Sequence, residues 1–118
     1  HPTRELTYVA DIVDGFISVT ERQNLVGEVI NIGSGMEISI ANLANKILSL
    51  MGVKADIVTD QKRVRPAKSE VERLLADTSK AKRLLHWNPQ VSLEEGLGKT
   101  IQWVKENLER YKIELYNL

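Results

Sequence analysis

Apolar residues recur in the first part of this chain with the spacing of a helix. The first such set consists of Val9, Ile12, Val13, Phe16 and Ile17. These positions follow the i, i+3, i+4, i+7, i+8 rule, which predicts an amphipathic helix packed on one side. Asn24 and Gly27 then interrupt the pattern and indicate a loop.

Three further helices are predicted by start and stop signals as well as by periodicity. Ser39 is a candidate cap for apolar positions that end at Gly52, namely Ile40, Leu43, Ala44, Ile47, Leu48 and Met51. Asp77 is the predicted cap of a short helix over residues 79–85, and Pro89 prevents its continuation. Ser92 and Glu95 have capping-box spacing, and they precede the periodic positions Leu93, Leu97, Ile101, Val104, Leu108 and Tyr111.

Two short apolar runs favour strands, over residues 29–32 and 55–58. The first run ends in Gly33-Ser34-Gly35, where the backbone turns freely. This turn lacks the third glycine of a dinucleotide fingerprint and the Lys-Ser/Thr of a P-loop, so we interpret it as a simple turn. The pattern predicts a small, mostly helical α/β (α+β) lobe of about four helices with two or three short strands, forming one domain over residues 1–118.

The composition excludes several classes of function. The chain has sixteen acidic and sixteen basic residues and no cysteine, so it has no global attraction for nucleic acid and no disulfide or zinc-ribbon framework. It has no signal-like segment and no membrane-length apolar run, which predicts a cytoplasmic protein without a membrane partner. A helix-turn-helix DNA-binding unit starting at Ser39 is one alternative, although no basic helix follows Gly52. A non-catalytic helical interaction module is a second alternative.

Residues 63–77 carry the most distinctive local chemistry. Arg65 precedes Pro66, which pushes it toward extended conformations and presents its guanidinium as a fork of donors suited to phosphate. The plain alternative is a solvated charged loop. Arg4 and Glu70 also have plain explanations. Arg4 could form a surface ion pair with Glu5 or Asp11, and Glu70 could be an ordinary exposed carboxylate.

Four ordered segments together resemble one known family. They are Arg4-Glu5-Leu6-Thr7-Tyr8-Val9-Ala10-Asp11, Gly27-Glu28-Val29-Ile30-Asn31-Ile32-Gly33, Arg65-Pro66-Ala67-Lys68-Ser69-Glu70-Val71 and the stretch from Asp77 through Trp87-Asn88-Pro89 to Ser92-Leu93-Glu94-Glu95-Gly96-Leu97. This order is similar to the carboxyl-terminal substrate-binding part of the extended short-chain dehydrogenase/reductases, the NAD-dependent nucleotide-sugar epimerases and 4,6-dehydratases. Dehydratase and epimerase both stay open.

The resemblance implies roles for three residues. Arg4 and Arg65 match the arginines that reach the substrate diphosphate, and Glu70 matches the acidic residue that accepts hydrogen bonds from ribose hydroxyls. The implied ligand is a UDP-, GDP- or dTDP-sugar. The family's Gly-x-x-Gly-x-x-Gly turn and its Tyr-x-x-x-Lys pair are not present in this sequence, so no catalytic, cofactor-binding or metal-ligating residue is assigned here.

The resemblance also implies a longer parent enzyme. There, NAD(P) bound mainly by a Rossmann lobe absent from this chain would oxidise the sugar at C4. In a dehydratase the hydride would return after water elimination, and in an epimerase it would return to the other face of the sugar. We expect the 118-residue chain alone to be inactive and to bind no cofactor. The face of Arg4 and Arg65 would adjoin the missing lobe, leaving apolar surface exposed or covered by a second copy in a homodimer.

One position departs from the family pattern. His86 stands where the family has glycine before the tryptophan, and we expect it to adopt the left-handed conformation of a helix end at some cost. Trp87 and Trp103 are interpreted as packing residues of the core or of an interlobe surface. Asn31 and Asp77 are interpreted as structural, a strand-end hydrogen-bonding group and a helix cap.

Overall fold

Short strands alternate with helices along the chain. The computed structural model describes residues 2–58 and 71–111. Its elements are, in order, β1 (Thr3–Glu5), α1 (Val9–Thr20), β2 (Glu37–Ser39), α2 (Ile40–Met51), β3 (Arg73–Leu74), a π-helical turn (Ala81–Leu85), α3 (Leu93–Glu106) and a 3-10 helix (Leu108–Arg110). The predicted small α/β lobe is confirmed.

The three strands form one sheet with β1 in the centre. The strand order is β2-β1-β3, with β2 antiparallel and β3 parallel to β1. Arg4 is paired with Ile38 on one side and Leu74 on the other, while Glu5 lies opposite Glu37. Because side chains alternate along a strand, Arg4 projects from one face of the sheet and Glu5 from the other.

The caps predicted for two helices are present. The Ser39 hydroxyl accepts a hydrogen bond from the Asn42 N–H, and α2 ends at Gly52 in the left-handed conformation with φ of 67°. The Ser92 hydroxyl likewise accepts from the Glu95 N–H at the start of α3. α3 ends earlier than the periodicity indicated, at Glu106, and the Glu95 carboxylate accepts from Lys99 one turn later.

The burial of α1 is the reverse of the prediction. Asp11 and Gly15 are its buried residues, whereas Val9 is 64% exposed and Phe16 is 70% exposed. Four of the exposed apolar residues of α1 form a set that we call the α1 stripe, namely Val9, Val13, Phe16 and Ile17. The prediction was wrong because it assumed that the apolar face must point inward. Here a glycine and an acid form the inner face, where Gly15 leaves room for the side chain of Ile32.

The core lies around the π-helical turn. Its buried apolar residues are Ala81, Leu85 and Trp87, and Leu25, Ile30 and Ile32 pack against them. Trp87 is therefore a core residue, as predicted. Trp103 is 48% exposed and its ring meets that of Tyr111 edge-on, with centroids 6.2 Å apart.

The two predicted strands are not formed. Residues 29–32 and 55–58 have no ladder partner within the part of the chain that the structure describes, whereas strands form at Thr3–Glu5, Glu37–Ser39 and Arg73–Leu74. A strand requires a neighbouring strand, so apolar composition alone could not locate it. Residues 53–58 contain no helix after Gly52, which disfavours the helix-turn-helix alternative. None of the helices within the described ranges has the length and apolarity needed to cross a membrane.

His86 has the left-handed conformation that the sequence predicted, with φ of 54°. It ends the π-helical turn, and the Trp87 N–H bonds back to the Ala81 carbonyl at 3.3 Å. The guanidinium of Arg22 donates to the Leu85 carbonyl at 3.0 Å, so this carbonyl at the helix end also has a hydrogen-bond partner. The left-handed conformation of His86 is therefore held in place by hydrogen bonds on both sides of it, beside the core.

Candidate functional site

Arg4 lies on the central strand, where its guanidinium is fixed by main-chain carbonyls. Its Nη1 donates to the Thr3 carbonyl at 2.8 Å and to the Val71 carbonyl at 2.7 Å. Val71 directly follows Glu70 in the sequence. Arg4 therefore contacts the point at which the chain enters the described fold after the segment with Arg65.

Arg65 and Glu70 lie outside the described residues. The proximity of Arg4, Arg65 and Glu70 stays a prediction. Within the described part, the return of the chain to the sheet is well defined, because the Thr3 N–H donates to the Glu72 carbonyl at 2.8 Å and β3 then pairs with β1.

Glu5 is a residue that the sequence reasoning did not assign to the site. Its Oε1 accepts from the Gly35 N–H at 2.5 Å and from the Ser34 hydroxyl at 3.3 Å, and its Oε2 accepts from the Ala76 N–H at 2.7 Å. The signal was available in outline, because an acid follows Arg4 directly and a Gly-Ser-Gly turn offers donors suited to an anion. The sequence could not indicate that the two would meet.

A charged cluster on the same face as Glu5 joins all three strands. The Arg73 Nε contacts both oxygens of Glu37, at 3.0 and 2.8 Å, and the Thr3 hydroxyl donates to the same carboxylate at 2.8 Å. The Arg73 hydrogen bond, followed by that of Thr3, lowers the pKa of Glu37. These contacts explain how Glu5 and Glu37 tolerate directly opposed positions, since each carboxylate has its own donors.

A second cluster of polar side chains lies near the start of the π-helical turn. The Asp77 carboxylate accepts from the Ser79 N–H at 2.9 Å, and this bond lowers the pKa of Asp77. Asn31 donates to the Asp77 carbonyl at 3.4 Å, and Lys80 pairs with Glu28 at 2.7 Å. Asn31 and Asp77 thus make structural contacts, as predicted, but Asn31 does not end a strand, because residues 29–32 form none within the described part of the chain.

A mainly apolar cleft of about 510 Å³ separates the β1–α1 connection from α3. Lys99 lies over the ring of Tyr8 at 5.4 Å from its centroid, and its ammonium donates to Glu95 at 2.7 Å. Arg4 is not among the residues that line this cleft. The cleft and the arginine are thus separate features of the lobe.

Solved structures share the fold over most of this chain. The UDP-glucose 4-epimerase of Thermotoga maritima, solved with UDP-glucose, aligns with a TM-score of 0.79 and 32% identity over 91% of this chain and 33% of its own. The dTDP-glucose 4,6-dehydratase of Bacillus anthracis, solved with NAD, aligns with a TM-score of 0.77 and 28% identity over 94% of this chain and 34% of its own. The class is that of the extended short-chain dehydrogenase/reductases, the Rossmann-type epimerases and dehydratases.

Sequence comparison narrows the assignment to one family. The UDP-glucuronate 4-epimerase of Thermodesulfobacterium geofontis is 39% identical over 110 residues, which are 92% of this chain and 32% of the relative. The chain belongs to the GDP-mannose 4,6 dehydratase family, whose model matches residues 1–100. It spans about a third of the length of this relative and of both solved structures.

Proposed function

We propose that this chain is the substrate-binding part of an NAD-dependent nucleotide-sugar epimerase or 4,6-dehydratase. It forms a single domain over residues 1–118 that binds the nucleoside diphosphate of a UDP-, GDP- or dTDP-sugar. Arg4 and Arg65 bind the diphosphate, and Glu70 accepts hydrogen bonds from the ribose hydroxyls. The similar proteins act on sugar nucleotides, which supports a ligand of this class. They include both epimerases and a 4,6-dehydratase, so either reaction fits the proposal.

The observation that carries this proposal is the hydrogen bond from Arg4 to the Val71 carbonyl at 2.7 Å. Residues 65 and 70 precede Val71 by six positions and by one. The contact therefore joins Arg4 to the described residue that directly follows Glu70 in the sequence. This supports a shared site for the arginine of β1 and the acid that precedes Val71.

Charge chemistry supports a diphosphate as the ligand. Two guanidiniums that share a site repel each other unless an anion lies between them. A diphosphate has enough oxygens to accept fork-shaped pairs of hydrogen bonds from both. Because the chain has no net charge, this attraction would be local to the site rather than a property of the whole lobe.

The redox step belongs to the longer polypeptide in this proposal. The part of the enzyme beyond this chain would hold most of the NAD(P), which would supply hydride transfer at C4 of the sugar. The residues of this chain hold and orient the nucleotide. We therefore expect the isolated chain to bind nucleotide without turning over a sugar.

Thermal titration tests the proposal on the chain itself. UDP, GDP and dTDP are added separately while the melting temperature is recorded, because a ligand that binds only the folded state must raise it. At a concentration one hundred times the Kd, the added stability is about 2.7 kcal/mol. We expect at least one of the three diphosphates to raise the melting temperature.

Two controls define the outcome. Uridine lacks the diphosphate and should leave the melting temperature unchanged. Arg83→Ala removes an exposed arginine remote in sequence from the proposed site, so it should retain the response that Arg4→Ala loses. If no nucleoside diphosphate changes the melting temperature at millimolar concentration, or if Arg4→Ala responds like the unmodified chain, the assignment of the site is wrong.

A further inference from the structure

The Glu5 carboxylate occupies a small anion site built by the fold itself. Its donors are the Gly35 N–H, the Ser34 hydroxyl and the Ala76 N–H, at 2.5, 3.3 and 2.7 Å. They come from positions 30, 29 and 71 residues along the chain from Glu5. One side chain of β1 therefore joins the Gly-Ser-Gly turn to the segment that follows β3.

Gly33 makes room for this carboxylate. A Cβ at residue 33 would lie 2.6 Å from the Glu5 Oε1 and 2.9 Å from the Ala76 Cβ, which is too close for either contact. Gly35 has φ of 72°, a conformation that favours glycine. The Thr7 hydroxyl accepts from the Ser34 N–H at 3.0 Å and fixes the turn from a second side. Gly33 therefore leaves space for the carboxylate, and Gly35 allows the turn whose N–H binds it.

Arg4 and Glu5 hold the same returning segment at its two ends. Arg4 donates to the Val71 carbonyl, Glu5 accepts from the Ala76 N–H, and the two contacted residues are five positions apart. Between them, β3 pairs with β1 with Thr3 opposite Arg73 and Arg4 opposite Leu74. If the Ala76 contact is lost, the short β3 ladder and the Arg4 bond must hold the segment without it.

We infer that Glu5 is a positioning residue for the diphosphate site. It fixes the segment that gives Arg4 its Val71 partner, and this role rests on the proposed function of Arg4. The donors of the turn and of Ala76 surround the Glu5 charge. Because Glu5 projects from the face opposite Arg4, that charge is directed away from the arginine. Glu5 thus orders the site without competing with the ligand for Arg4.

A double-mutant cycle on UDP binding tests this role. UDP affinity is measured by calorimetry for the unmodified chain, Glu5→Gln, Arg4→Ala and the double variant, well below each melting temperature. We expect Glu5→Gln alone to weaken UDP binding about tenfold and to have little further effect when Arg4 is already absent, because coupled residues are non-additive. A purely structural role would lower the melting temperature and leave this coupling at zero.

Chemical rescue gives a second measurement in case Glu5→Gln folds poorly. In Glu5→Ala, added acetate can occupy the vacated site and bond to the same three donors, whereas chloride at equal ionic strength lacks the paired oxygens. We expect acetate to restore UDP affinity to Glu5→Ala but not to Arg4→Ala.

The outcomes separate the inference from the proposal on which it rests. If the unmodified chain does not bind UDP, GDP or dTDP, the proposed function fails and the inference fails with it. If the unmodified chain binds but folded Glu5→Gln and Glu5→Ala bind equally well, only the positioning role is overturned. Additive losses in the cycle would also overturn it.

Discussion

The carboxylate of Asp11 accepts a hydrogen bond from the main-chain N–H of Val91 at 3.0 Å, across 80 residues of sequence. The other carboxylate oxygen accepts from the Gln90 N–H, also at 3.0 Å. Asp11 is only 4% exposed, so these two N–H donors replace the water that would otherwise solvate its carboxylate. One acid of α1 thus fixes the connection that leads into α3.

We expect Asp11→Ala to lower the free energy of unfolding by about 2–3 kcal/mol, because two partly buried main-chain N–H groups would lose a charged acceptor. Asp11→Asn should cost less, since its amide oxygen can still accept one bond. Urea denaturation measures both effects. Asp14→Ala, at an exposed position of the same helix, is the matched control and should change stability little. Equal losses for Asp11 and Asp14 would contradict the anchoring role.

Replacing His86 with glycine should stabilise the protein. The left-handed φ of 54° carries a steric cost that glycine does not have. After allowance for the greater freedom of glycine in the unfolded chain, we expect a gain of about 0.5–1 kcal/mol. His86→Ala keeps the Cβ and should give no gain. A loss of stability in His86→Gly would indicate that the imidazole itself makes a stabilising contact.

Acid should destabilise the fold below the ordinary pKa of a glutamate. Hydrogen bonds from Arg73 and from Lys80 lower the pKa values of Glu37 and Glu28 below 4.5 in the folded protein. A group with a lowered folded pKa stabilises the protein above its unfolded pKa, and that contribution is lost as the pH falls through the folded value. The contribution of these two pairs to the melting temperature should therefore be nearly constant from about pH 5 to neutral pH and fall at lower pH. Glu37→Gln should show a shallower fall; an unchanged profile would count against this pair.

Changes on the α1 stripe should affect surface properties more than stability. Phe16 is 70% exposed, so Phe16→Ser should alter the free energy of unfolding by no more than about 0.5 kcal/mol. Binding of a hydrophobic dye should decrease, because a large apolar side chain has left the surface. Leu85→Ala, in the core, should instead cost about 2–5 kcal/mol. A comparable loss in Phe16→Ser would mean that the stripe is covered in solution.

Arg65→Ala should weaken binding of the nucleoside diphosphate by about 2–4 kcal/mol, the scale for removing one partner of a charged hydrogen bond. Calorimetric titration with UDP measures the effect. Arg63→Ala removes an arginine two positions earlier and serves as the control, with an expected effect well below that of Arg65. Equal affinities for Arg65→Ala and the unmodified chain would remove Arg65 from the site.

Local signals in the sequence predicted the features that depend on a few neighbouring residues. The caps at Ser39 and Ser92, the stop at Gly52 and the left-handed His86 all follow from short-range sterics and hydrogen bonding. The order of the motifs indicated the family to which the chain belongs.

Features that depend on distant partners were not predictable in the same way. Residues 29–32 have a strand-like composition, but a strand also needs a neighbour, which is not found among the described residues. The periodicity of α1 indicated an apolar face without indicating its direction. The role of Glu5 required residues 34, 35 and 76 to converge, and the sequence contains no local trace of that convergence.

The contrast between the two tryptophans gives the protein two distinct optical reporters. Trp87 is 3% exposed, and its indole N–H has no hydrogen-bond partner in the described part of the fold. Trp103 is nearly half exposed near the end of α3. A buried indole without polar contacts emits at shorter wavelengths than one in water, so the fluorescence spectrum should contain two resolvable components. Trp87→Phe and Trp103→Phe would isolate them, allowing the core and the end of α3 to be followed separately during unfolding.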